Sequence, residues 1–201
     1  MHRRPLIELL QRYERFWQAA EERALAARFR AFAAAHADCL LRSCVPGHIT
    51  ASCWILAADD SRALLTHHRK LERWLQLGGH VDGEAAVERA ALREAREESG
   101  MTDFEFVPFG DGGLVPLDLD VHPIPARGSE PRHDHWDVRF LLRARPGQAL
   151  AISDESNDLQ WFAAAAIPAV TREPSVLRLL QKSARLLAGG VAGRAVGPGA
   201  M

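Results

Sequence analysis

The stretch Gly79-His80-Val81-Asp82-Gly83-Glu84-Ala85, followed by Arg93-Glu94-Ala95-Arg96-Glu97-Glu98-Ser99-Gly100-Met101, constrains this chain more than any other. A glycine turn leads into a run of good helix formers that crowds Glu94, Glu97 and Glu98 near its C-terminal end. At about 100° per residue, steps of three and four return to nearly the same side of a helix, so these carboxylates share one arc. Like charges so placed cost an isolated helix roughly 0.2–0.5 kcal/mol per pair, which points to a cation among them. Hard oxygen ligands on a rigid element suit Mg²⁺ or Mn²⁺, whose shells are completed by water and phosphate. An ordinary solvated helix is the alternative, but surface ion pairs are weak and need no such spacing.

These residues resemble the signature of the Nudix hydrolases: Gly, five residues, Glu, seven residues, Arg-Glu, an aliphatic residue, any residue, Glu-Glu, any residue, Gly, an aliphatic residue. Counting back from Arg93 puts the first glycine at Gly79 and the closing pair at Gly100 and Met101. One position departs: the first glutamate should fall at Ala85, and Glu84 stands directly before it. In the family that glutamate supports the arginine, so the departure bears on how Arg93 is held. The resemblance implies an α/β/α sandwich with a mixed sheet over roughly 45–170 and attack of water on a phosphoanhydride. It also implies metal ligation by Glu94, Glu97, Glu98 and the Gly79 carbonyl, with Glu97 central. Arg93 reads as a pin between helix and loop, since a guanidinium does not titrate usefully. Glu155, in the Ser153-Asp154-Glu155-Ser156 loop, lies where some members place an extra acidic ligand or base; an exposed loop carboxylate is the alternative.

At 201 residues and 47% hydrophobic content the chain can bury a substantial core, and no run approaches the ~20 apolar residues of a membrane span. The N-terminal basic residues are followed by Glu8, Gln11, Arg12 and Glu14, which excludes the apolar core of a secretory signal. Three cysteines, Cys39, Cys44 and Cys53, lack metal-type spacing and suit reduced thiols in a cytoplasm. A net charge of −1 argues against a nucleic acid polymer as partner. A small-molecule nucleotide or pyrophosphate compound is the expected substrate.

Hydrophobic periodicity divides the chain into an N-terminal helical extension (1–44), an α/β domain (45–188) and a Gly/Ala/Pro/Val tail (189–201). The extension's apolar face, with Leu6, Leu9, Leu10, Tyr13, Phe16, Trp17, Phe29 and Phe32, must dock on its own domain or on a second subunit, as in a homodimer. Strands are predicted at 48–57, 63–67, 74–77, 103–109, 114–121, 135–142 and around 159–162, with helices at 86–99 and 173–187. A loop rich in Pro, Gly and charge joins Pro123 to Asp134.

Along 135–142, alternation puts Trp136, Val138, Phe140 and Leu142 on one face and His135, Asp137, Arg139 and Leu141 on the other. The second face is expected to meet a polar environment, with Arg139 and His135 as candidate phosphate contacts and strand-to-strand pairing as the alternative. Lys70, beside His67, His68 and Arg69, and His80 in the glycine turn are further candidate substrate contacts. His133, Asp134, His135 and Asp137 form a compact cluster that suits a second kind of metal or a phosphate contact; histidines that merely hydrogen bond are the favoured alternative, because a borderline metal needs a third convergent group that sequence does not place. Two functions are carried forward: a Mg²⁺-dependent pyrophosphohydrolase, and a catalytically silent nucleotide-metabolite-binding module, motivated by Ala85 and the long helices. An isoprenoid diphosphate isomerase is a weaker third reading, since no reactive Cys with an acidic partner is recognisable.

Overall fold

In the computed structural model, which describes residues 2–110, 113–154 and 156–190, the N-terminal extension forms two helices. Helix α1 (Arg4–Phe16) starts on Pro5, whose fixed φ and missing N–H suit a first turn, and α2 (Ala20–Ala35) follows after a short break. The strands are β1 (Gly47–Leu56), β2 (Arg62–His68), β3 (Arg73–Leu75), β4 (Leu77–His80), β5 (Phe104–Phe106), β6 (Asp118–Ile124), β7 (His133–Ala144) and β8 (Ser156–Ala163). Helix α3 (Val87–Ser99) follows β4, and a short helix α4 (Ile167–Val170) precedes α5 (Pro174–Ala188).

All eight strands join one mixed sheet. Its centre is the parallel pair β1 and β7, in register from Gly47 opposite Asp134 to Leu56 opposite Arg143. On its other edge β1 pairs with β4 and then β2; β7 pairs with β6 and then β5; β8 extends the sheet beyond β2. The predicted strand at 74–77 is thus two strands, and its second half carries the glycine pair into the sheet.

Helices cover both faces. Ile49, Ala51, Val138 and Phe140 pack with Val87 and Ala90 of α3 and with Leu6, Leu9, Ala26 and Phe29 of the N-terminal helices. Trp54, Leu65 and Leu141 pack with Val176, Leu179 and Leu186 of α5. The fold is therefore the expected α/β/α sandwich with an N-terminal helical extension. That extension docks on its own sheet: Phe32 stacks on Trp136 at 4.3 Å and Phe29 meets it edge-on at 5.1 Å. Among the described residues, no helix is long and apolar enough to cross a membrane.

Candidate active site

Two glycines set the position of the glutamate helix. A Cβ on Gly78 would lie 2.3 Å from Ser52 Cβ, so β4 can approach β1 only without a side chain there, and one on Gly79 would lie 2.6 Å from Glu94 Oε2 and displace that carboxylate. At the far end Gly100 takes the left-handed conformation (φ 71°) and closes α3 with its N–H on the Arg96 carbonyl. Between these points Glu94, Glu97 and Glu98 all line one cleft of about 600 Å³, together with Gly78, Gly79, His80 and Arg93. Glu98 is buried, and its Oε2 accepts from the Gly78 N–H at 2.9 Å. The Glu97 side chain is 61% exposed. This donor set, carboxylates beside the Gly79 backbone with no side chain intervening, fits a hard divalent cation.

Arg93 ties helix to strand. Its Nη2 donates to the His80 carbonyl at 2.6 Å and to Glu94 Oε1 at 2.8 Å, and its Nε lies 3.8 Å from Glu97. Glu84 does not take the part of the displaced glutamate: it accepts from the Ala86 N–H at the start of α3. Glu94 itself supplies the close carboxylate partner of Arg93.

The cleft floor is polar and rigid. Asp137, 3% exposed, accepts from Thr50 Oγ1 (3.1 Å), Ser52 Oγ (2.7 Å) and Arg139 Nε (2.8 Å). Arg139 does not line the cleft, so of its two readings the structure shows strand-to-strand pairing and not a phosphate contact. It is 1% exposed and enclosed by Asp137, Asp118 (3.4 Å) and Asp120 (3.1 Å). Burial alone would lower its pKa, but the three carboxylates outweigh it and hold the guanidinium more firmly protonated than usual. Arg178 and Lys182 of α5 complete the network from the other side, through Asp118 and Asp120. Along the polar face of β7, His135 and Asp137 thus meet the cleft, Arg139 meets an internal ion-pair lattice, and Leu141 continues the face into the core.

Three other candidates share the cleft. Lys70 is exposed on the turn between β2 and β3 and lines the cleft, as do His80 and His135. Burial lowers the His80 pKa to about 4 and drives that of His135 further down, helped by neighbouring imidazoles, so both offer neutral hydrogen bonds rather than positive charge. Glu155 lies outside the described residues, as does most of the 189–201 tail. Sequence reading missed Thr50 and Ser52, the carboxylates Asp118 and Asp120, and two histidines, His48 and His122. The signal was present as alternation, His48-x-Thr50-x-Ser52 and Asp118-x-Asp120-x-His122, which aims both sets at the side of the sheet where Asp137 points.

Fold and site together define a class: an α/β/α sandwich that presents a glutamate-rich helix and a glycine-paired strand to one polar cleft. The chain belongs to the NUDIX domain family, which matches residues 46–181. Membership places it among hydrolases of phosphoanhydride bonds in nucleotide-like compounds. No curated protein matches the chain. Solved structures agree on the fold. A NUDIX family hydrolase from Clostridium perfringens superposes with a TM-score of 0.56 at 22% identity, over 70% of this chain and 97% of that one. The C. elegans Ap4A hydrolase gives 0.55 at 19% identity (70% and 98%), and the E. coli dihydroneopterin triphosphate pyrophosphohydrolase 0.51 at 18% (67% and 92%).

Proposed function

We propose that this protein is a Mg²⁺-dependent pyrophosphohydrolase, with Mn²⁺ as an alternative ion, acting on a nucleoside diphosphate linked to another moiety or on a related pyrophosphate compound. The observation that carries this reading is the convergence of Glu94, Glu97, Glu98 and the glycine pair on one cleft. A purely binding module has no need of three carboxylates held together against their repulsion.

Glu94, Glu97, Glu98 and the Gly79 carbonyl would hold the ion. When bound, it offsets the negative charge of the phosphate oxygens and the charge that develops on the leaving group. The protein's own groups do the positioning. Arg93 fixes α3 to β4 through the His80 carbonyl, and the Gly78 N–H fixes the Glu98 carboxylate. Asp137 has its oxygens committed to Thr50, Ser52 and Arg139, so it shapes the floor rather than taking a proton from water. His80 and His135 supply neutral donors to substrate oxygens, and Lys70 supplies a mobile positive charge at the rim. Glu155, outside the described residues, stays a candidate extra acidic ligand or base on the resemblance alone.

The test is a substrate panel of Ap4A and other dinucleoside polyphosphates, nucleotide sugars, ADP-ribose, coenzyme A and nucleoside triphosphates, with Mg²⁺ and Mn²⁺ compared. The expected result is divalent-ion-dependent release of phosphate-bearing products from at least one class. Tight nucleotide binding with no turnover under any of these conditions would replace the enzyme by the silent binding module.

A further inference from the structure

We propose that His48, His133 and His135 form a second metal site, for a borderline divalent ion of the Zn²⁺ type, separate in chemistry and position from the carboxylates of α3. Sequence alone offers two of these residues, two apart on β7. The fold supplies the third, because His48 on β1 is the direct register partner of His135 across the parallel pair. The His48 ring lies 5.0 Å from that of His133 and 4.8 Å from that of His135. Asp134 does not join them, since alternation along β7 turns it to the opposite side.

Three observations point to a ligand here. First, one nitrogen from each ring can be chosen so that all lie within 4.8 Å of one another. A tetrahedral ion with bonds of about 2.0–2.1 Å needs roughly 3.3 Å between nitrogens, a closure of less than about 1 Å for each ring. Second, the nitrogens are bare. Both of His48 and the Nε2 of His133 and His135 are buried without a hydrogen-bond partner, which makes four of the eight such side-chain atoms among the described residues. Buried polar atoms are rarely left unsatisfied, and His48 is 1% exposed and His133 6%. Third, His133 is already oriented as a metal ligand. Its Nδ1 lies 2.9 Å from the Pro131 carbonyl, which can only accept, so Nδ1 donates there and the buried, unpartnered Nε2 is the nitrogen left for a metal. Glu130 Oε1, 3.9 Å from the same Nε2, brings an oxygen within reach.

Imidazole donors favour Zn²⁺ and its neighbours over Mg²⁺, so the two sites sort different ions. The His site also adjoins substrate space: His80 and His122, with rings 5.1 and 5.4 Å from His135, line the cleft as His135 does. An ion there would staple the start of β1 to the start of β7 and fix the end of the loop that precedes His133.

The inference does not depend on the hydrolase reading and is tested without turnover. Tag-free protein is stripped with chelator and titrated with Co²⁺ and then Zn²⁺ in millimolar Mg²⁺. One equivalent of Co²⁺ should give the intense visible bands of a tetrahedral, nitrogen-ligated ion, displaced by Zn²⁺ but not by more Mg²⁺. Zn²⁺ at a hundred times its Kd should raise the thermal midpoint by roughly 5–10 °C. His48→Phe keeps a ring in the core and His133→Gln keeps a polar group. Both should abolish the bands and the shift, while Glu97→Gln keeps them. Only weak octahedral bands in the wild type, bands that survive both histidine variants, or bands lost in Glu97→Gln would each overturn the site. The wild-type spectrum decides the matter even if a variant fails to fold.

Discussion

Replacing Arg139 by Met separates scaffold from substrate contact, because the side chain keeps much of its volume and loses only its charge. Its three carboxylate partners do not suffer equally. Asp118 keeps Arg178 and Lys182, and Asp120 keeps Arg178 and His122. Asp137 keeps only the hydroxyls of Thr50 and Ser52. Breaking a buried ion pair so that one partner stays charged costs about 3–5 kcal/mol. For a domain of this size that lowers the thermal midpoint by roughly 10 °C or more. Urea unfolding of Arg139→Met, Asp137→Asn and the double variant should show strong non-additivity, with the double variant more stable than the sum of the single losses predicts. Michaelis constants, measured well below the midpoint, should change little. A raised Michaelis constant with an unchanged midpoint would refute the scaffold argument and return Arg139 to the substrate.

Glu97→Gln and Glu98→Gln should each reduce turnover by roughly two or more orders of magnitude with the fold intact, since a neutral amide holds a divalent ion poorly; near-normal rates at saturating Mg²⁺ would remove them from the ion site. Ala85→Glu should raise stability by up to about 1 kcal/mol by giving Arg93 a further carboxylate beside Glu94 and Glu97, while a Glu84/Arg93 double-mutant cycle should give no coupling, as the two do not touch; a coupling above about 0.5 kcal/mol would show that Glu84 does reach the arginine. Stability should also fall on acidification. His48 and His80 have folded pKa values lowered from 6.5 to about 4, chiefly by burial. The unfolded chain therefore takes up protons first, and stability that is full above about pH 6.5 is lost as pH drops toward 4. For buried His48 the span corresponds to roughly 3 kcal/mol. In chelated protein, His48→Phe should flatten this profile, and a flat wild-type profile between pH 4 and 6.5 would contradict the burial argument.

The glutamate helix and its glycines were legible in sequence because their spacing is local: carboxylates three and four apart on a helix meet wherever the helix sits. The sandwich was legible for the same reason, since alternation on β7 and a long apolar β1 each announce a strand. What escaped depended on which strands become neighbours. Nothing in His48 distinguishes it from any other strand-end histidine until β1 lies parallel to β7 in a register that puts it opposite His135. Arg139 lies on the expected polar face, and of its two readings the structure shows the pairing with neighbouring strands. Asp118 and Asp120, some twenty residues earlier, cover that face once β6 pairs antiparallel with β7, setting Asp118 opposite Arg139 itself. Glu84 stands next to the displaced position in sequence, yet its carboxylate accepts from the Ala86 N–H instead of reaching Arg93.

The same neighbour relations explain why the N-terminal helices belong to the site's architecture. Lys182 of α5 is 5% exposed and reaches Asp118 (2.8 Å), Glu22 of α2 (2.6 Å) and the Tyr13 hydroxyl of α1 (2.8 Å), and Tyr13 in turn donates to Glu22. From Asp118 the chain of charged contacts runs through Arg139 to Asp137 and so to Thr50 and Ser52 in the cleft. Each buried charge in this series is tolerable only because the next one satisfies it. Without Glu22 and Tyr13, Lys182 would keep Asp118 and the Trp17 ring, 4.4 Å away, and the carboxylates beneath the cleft would share a less firmly held cation. Phe29 and Phe32 make the matching apolar contribution by covering Trp136, which is adjacent in sequence to both His135 and Asp137. The helices thus hold β7 from both of its faces: its core side through aromatic packing, and its polar side through the ion-pair series that ends at the cleft floor.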